Sequence, residues 1–158
     1  MKITKSRAFR YTQVIPKHDF MKYWRVVRKW ALAKYGVSWA DLDLLFFLYG
    51  EGLFSNKEFY SFTFTLPWDK NRFPRLKREG WITQWRAGET GRHRALFEVS
   101  TKGKKMIGAI YRKLSGQDAI SENMEKNPMY KASAPPSQKA MRAVIERMNK
   151  DYDRFRVK

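Results

Sequence analysis

A mainly helical fold carrying one small β-hairpin is what this sequence predicts, on three observations. Apolar residues recur at three- and four-residue steps in five or six separate stretches. After Gly80 the period switches to β-rich alternation, once, across two short runs. A glycine-containing, basic loop joins those two runs. At 158 residues, 43% of them hydrophobic, the chain is long enough to bury one core.

Taken in order, residues 1–16 read as a basic, irregular arm closed by Pro16. From Lys17 to Tyr35 the apolar stripe Phe20, Trp24, Val27, Trp30 and Ala31 has helical spacing, and Gly36 sits where a C-terminal cap belongs. Ser38 with Asp41 opens a second helix, which carries Leu42, Leu45, Phe46 and Tyr49 and stops at Gly50 or Gly52. Ser55 with Glu58 is a capping box that starts a short third helix. A fourth ends at Gly80; Pro74 fits it only if the helix starts late, with Asn71 as cap, or kinks. The runs 81–86 and 94–99 are the hairpin strands, joined by the loop 87–93. Ser100 or Thr101 caps another helix with Met106, Ile107, Ile110 and Leu114 on one face. Residues 116–136, with Pro128, Pro135 and Pro136 among polar residues, read as a linker or extended wrap. A last helix is expected from a Ser137 cap to about Phe155, with Met141, Val144, Met148 and Phe155 on its apolar side.

Charge narrows the partners. Thirty-three Lys and Arg against fifteen Asp and Glu leave a net +18, which a polyanion relieves most simply. The distribution is uneven: residues 1–36 carry +9, 37–67 carry −3, 68–105 carry +7 and 106–158 carry +5. A near-neutral scaffold between basic segments suits a nucleic-acid binder better than a merely solubilised surface. The longest apolar run, Leu44 to Tyr49, is far short of a membrane span, and the N-terminus has no apolar signal segment. No membrane partner and a cytoplasmic, intracellular location are the expectations, consistent with the absence of cysteine.

The order of four helices, hairpin and helix, with a basic hairpin loop, is that of a winged helix-turn-helix. Leu76-x-x-x-Gly80-Trp81-Ile82, then the hairpin, then Val99-Ser100-Thr101-Lys102-Gly103-Lys104, resembles the MarR family of bacterial regulators over about residues 17–115. The family's Asp-x-Arg wing pair is replaced here by Gly91 and His93, flanked by Arg92 and Arg94. The resemblance implies duplex DNA as partner, a homodimer built from the terminal helices 17–35 and 137–158, and transcriptional regulation.

The candidate contacts follow. Trp68, Lys70, Asn71, Arg72 and Arg75 lie on or before the first turns of the expected recognition helix, where Arg pairs with guanine and Asn with adenine. Arg86, Arg92, His93 and Arg94 belong to the wing, and Ser55, Asn56 and Lys57 open the preceding helix, whose amides suit a phosphate. Lys2, Lys5, Arg7 and Arg10 form a groove-seeking arm or a solvated tail. Four of the six tryptophans occupy stripe or strand positions and are expected in the core, Trp68 at the surface. No metal spacing, nucleophile elbow or phosphate loop is present, so neither a catalytic site nor a cofactor is expected, and no small-molecule effector is named. Two alternatives remain open: a genome-coating DNA binder with little sequence preference, and a protein- or RNA-interaction module on the same scaffold.

Overall fold

The structure, a computed structural model, describes residues 18–65 and 69–156. It is mainly helical with one two-stranded antiparallel sheet, in the order α1 (Trp24–Tyr35), α2 (Trp39–Glu51), α3 (Asn56–Ser61), α4 (Arg72–Arg78), β1 (Ile82–Arg86), β2 (Leu96–Val99), α5 (Thr101–Leu114), α6 (Pro136–Lys139) and α7 (Arg142–Arg156). Short 3-10 turns follow α3 and span Pro128–Tyr130. The basic arm at 1–16 lies outside the described residues, as does Trp68.

Local chemistry sets most boundaries. Gly36, at φ 66°, ends α1 and donates its N–H to the Leu32 carbonyl. The Ser55 hydroxyl accepts from the Glu58 N–H while the Glu58 carboxylate accepts from the Ser55 N–H, closing both halves of the capping box. Asn71 does precede α4, which puts Pro74 in the first turn, where a missing N–H costs nothing; the Asn71 side chain makes no cap bond. At the other end, the Trp81 N–H reaches the Leu76 carbonyl (2.9 Å) and the Gly80 N–H the Lys77 carbonyl (3.1 Å). That Schellman pair needs a left-handed residue between, and Gly80 supplies it at φ 79°.

The end of α4 is then clamped to the start of α5. The Ser100 hydroxyl donates to the Gly80 carbonyl, the Ser100 N–H to that of Trp81, and the Lys102 ammonium to that of Glu79. Gly103 is small for a reason: a Cβ there would lie 2.5 Å from a Val99 methyl and 3.4 Å from the Trp81 carbonyl. The two halves of the sequence motif are thus one physical joint.

β1 and β2 pair from Ile82 with Val99 to Arg86 with Leu96, with a bulge at Trp85. Phe54, just before α3, exchanges both backbone hydrogen bonds with Phe97 (3.0 and 2.8 Å), adding a one-residue third strand beside β2. Under this sheet Phe54, Phe59, Phe73 and Phe97 pack ring against ring, with neighbouring centroids 4.8–6.5 Å apart. α1 packs on α5, and α2 reaches both β2 and α5.

Three expectations are corrected or narrowed. The helix expected from 17 begins at Trp24, and the last helix begins at Arg142 after a separate short turn, α6. Residues 116–136, read as a linker or extended wrap, are packed on the rest of the chain: Ile120, Asn127, Met129 and Ala134 are buried, and Asn149 of α7 both accepts from and donates to the Ile120 backbone. The apolar stripes assigned to a dimer interface are covered within the chain in part: Phe20 stays 38% exposed, and the Phe155 side chain lies outside the described residues. Val27, Trp30, Ala31, Ile145 and Met148 belong to one core, and the Tyr23 hydroxyl donates to Asp151 of α7. Tyr23 is pushed up to about 12, by burial first and by Asp151 second.

Candidate nucleic-acid interface

Two sets of basic side chains that the sequence grouped together are separated by the fold. The first belongs to α4. Asp41, on the first turn of α2, is buried, and the Arg75 guanidinium donates to both of its carboxylate oxygens at 2.7 and 2.9 Å. Arg72 brings its Nε to 3.5 Å from the same carboxylate, with its side chain largely covered. Burial works to raise the Asp41 carboxyl, but the hydrogen bonds from Arg75 and Ser38 and the nearby Arg72 outweigh it and hold it below the usual range. Arg75 also bridges to Glu79 at 3.3 Å, so its guanidinium is engaged on two sides. Arg75, expected to face base edges, instead fastens α4 to α2, and Arg72 lies against the same carboxylate with its Nε buried and without a hydrogen bond. Lys77 is folded over the Phe73 and Phe97 rings.

The second set lies where α3 meets the hairpin. Ser55, Asn56, Lys57, Tyr60, Arg94 and Ala95 line one open pocket of ≈ 430 Å³. The Tyr60 hydroxyl donates to the Lys70 carbonyl at 3.2 Å, which ties the segment before α4 to the same wall. Lys57, Lys70 and Arg94 are exposed, and none forms an ion pair among the described residues. Arg94 is near enough to help hold the Glu58 carboxyl low, behind the larger effect of the Ser55 hydrogen bonds.

Ser55 plays the capping part expected of it, and that part stands against its use as a phosphate site. It is buried in the capping box, and the Glu58 carboxylate occupies its N–H. An anion at that helix start would meet a like charge, so the cations on offer are the side chains of Lys57 and Arg94. Asn56 and Asn71 are exposed nearby in the chain.

The hairpin loop, expected as a wing, is held without an Asp-x-Arg pair. Glu89 and His93 exchange backbone hydrogen bonds (2.8 and 3.3 Å) across a turn closed by Gly91 at φ 77°. Arg86 donates to the Arg94 carbonyl at 3.3 Å, bracing the base of the loop, while Arg92, His93 and Arg94 stay exposed. Trp81 and Trp30 are buried as the core reading requires; Trp85 is 54% exposed, turned out of the core by the bulge.

Sequence reasoning missed Asp41 as an anchor. Its cap position explained it too readily, although an acid in a segment otherwise short of partners, opposite an arginine-rich helix, was a usable signal. Among the described residues no group of His, Asp or Glu is arranged to hold a metal, and no helix is long and apolar enough to cross a membrane. No family model, curated protein or solved structure matches the chain.

Proposed function

We propose that this chain is a winged-helix protein that binds duplex DNA through α3, the segment before α4 and the hairpin. The observation that carries the reading is the convergence of Lys57 and Arg94, from two elements, on one open pocket beside Lys70. A +18 chain with unpaired cations at such a junction suits successive phosphates of a duplex. The helix order and the Phe54–Phe97 third strand support the winged-helix assignment.

Within this reading the Asp41 latch favours weak sequence preference. Arg72 and Arg75, the side chains best suited to guanine, are engaged, and Lys57, Lys70 and Arg94 are phosphate ligands first. A MarR-like dimeric regulator is the sharper form of the proposal. It rests on Asn56 and Asn71 for readout, and on a second-copy contact other than the covered stripes of α1 and α7. Titrating random and genomically selected duplexes over a series of salt concentrations tests both. A log–log slope steeper than about −4, from about five phosphates, is expected. A flat slope, or no duplex binding at low salt, removes DNA binding. A preference of more than about a thousandfold for selected sites favours the regulator over the coating protein.

A further inference from the structure

Away from the basic pocket, α1, α2 and α5 leave an aromatic groove of ≈ 440 Å³, a volume suited to a small ligand. Phe20, Trp24, Phe46 and Tyr111 wall it, Met21 stands at the rim, and one carboxylate, Asp43, enters it. The rings form an edge-to-face ladder: Trp24 on Phe46 (85°), Phe46 on Tyr111 (72°) and Phe20 on Tyr111 (72°), with centroids 5.5–5.9 Å apart. In each edge-to-face pair one ring covers part of the other's face, and Arg28 already lies over Trp24, so the faces open to a ligand are those of Phe46, Tyr111 and Phe20 that point into the groove. Met21, Tyr111 and Phe20 are 75%, 42% and 38% exposed, so the ladder is open to solvent.

Asp43 is half-buried and takes part in no hydrogen bond or ion pair among the described residues. The nearby Arg28 feels the Asp43 charge but places its guanidinium over Trp24 and Trp39 and forms no ion pair with that carboxylate. Asp43 and Phe46 also belong to the stretch 37–67, the acidic part of an otherwise basic chain. Ring faces beside an unpaired carboxylate are the elements with which proteins recognise alkylated ammonium groups.

We propose that this groove binds a small organic cation, an alkylated or quaternary ammonium with an apolar substituent. Its ammonium head lies against Phe46 and Tyr111 beside Asp43, and its apolar end lies on Phe20 and Met21. The groove shares no lining residue with the basic pocket, so the inference stands apart from DNA binding.

Calorimetric titration of the full chain with benzyltrimethylammonium, and with 2-phenylethanol as a neutral ring of similar size, tests it. Saturable one-to-one binding of the cation is expected, with the alcohol weaker by tenfold or more. Asp43→Asn, an isosteric change at a side chain with no partner, weakens the cation by about five- to tenfold. Tyr111→Leu, at a half-exposed position, weakens it similarly, with circular dichroism checking that both variants stay folded. Absence of saturation, equal binding of the alcohol, or an unchanged Asp43→Asn titration overturns the proposal. A chain that runs as a dimer in light scattering, resists the cation and becomes monomeric with Met21→Lys identifies the groove as a self-interface and overturns it too.

Discussion

α4 and the hairpin are similarly basic, yet their charges meet opposite fates. α4 carries Arg72, Arg75, Lys77 and Arg78; the hairpin and its loop carry Arg86, Arg92 and Arg94. On α4, a carboxylate from another helix takes one arginine bidentately and draws in a second, and two rings take the lysine, while Arg78 stays exposed and without an ion pair among the described residues. On the hairpin, Arg92 and Arg94 remain exposed and without an ion pair among the described residues. One buried acid separates the two fates. Availability of a base is a tertiary property, so equal composition gives α4 a structural duty and the hairpin a free surface.

The largest test of that comparison is the latch itself. Asp41→Ala removes a bidentate, mostly buried acceptor and is expected to cost about 2–3 kcal/mol. In a chain of this size that lowers the melting temperature by roughly 4–10 °C. Arg94→Ala should stay within about 0.5 kcal/mol of the parent. Thermal denaturation of the two variants checks it; equal losses would erase the distinction between the regions.

Binding sharpens it from the other side. Lys57→Ala with Arg94→Ala should weaken a random duplex by about tenfold and make the salt slope shallower by about 1.8, one phosphate contact for each base removed. Arg75→Ala should leave that slope nearly unchanged, because its guanidinium already faces Asp41 and Glu79. Anisotropy titrations across salt decide it. A larger slope change for Arg75→Ala than for the double variant would make α4 the phosphate-binding element.

What the sequence made legible was local. The caps at Gly36, Ser55 with Glu58, Gly80 and Ser100 involve residues a few positions apart, and each lies where the pattern put it. The switch of period after Gly80 located the hairpin for the same reason. The Asp41–Arg75 pair spans 34 positions, so no spacing rule reaches it. Residues 116–136 left two readings, linker or extended wrap, because prolines among polar residues suit both. There Asn127 is buried, its side chain accepting from the Met129 N–H and donating to the Ser121 carbonyl, so the polar residue stabilises a packed turn. The apolar stripes of α1 and α7 were visible as stripes, but periodicity does not say whether a second chain or this one covers them.

The smallest effect expected is a pH dependence that comes from the latch. The native Asp41 carboxyl is held below its ordinary value of about 3.9, so the folded state binds fewer protons than the unfolded one near that pH. Its contribution is complete above about pH 5 and declines as pH falls through the native value. Glu58 is also held low and acts in the same direction, so the parent curve alone does not isolate Asp41. The difference between parent and Asp41→Asn does. That difference should be constant from about pH 7 to 5 and should shrink, by less than about 1 kcal/mol, on going to pH 4. Urea denaturation at each pH measures it. A parent-to-Asn difference that stays level down to pH 3 would mean that the Asp41 charge contributes nothing to holding Arg75, and the contrast between α4 and the hairpin would need another cause.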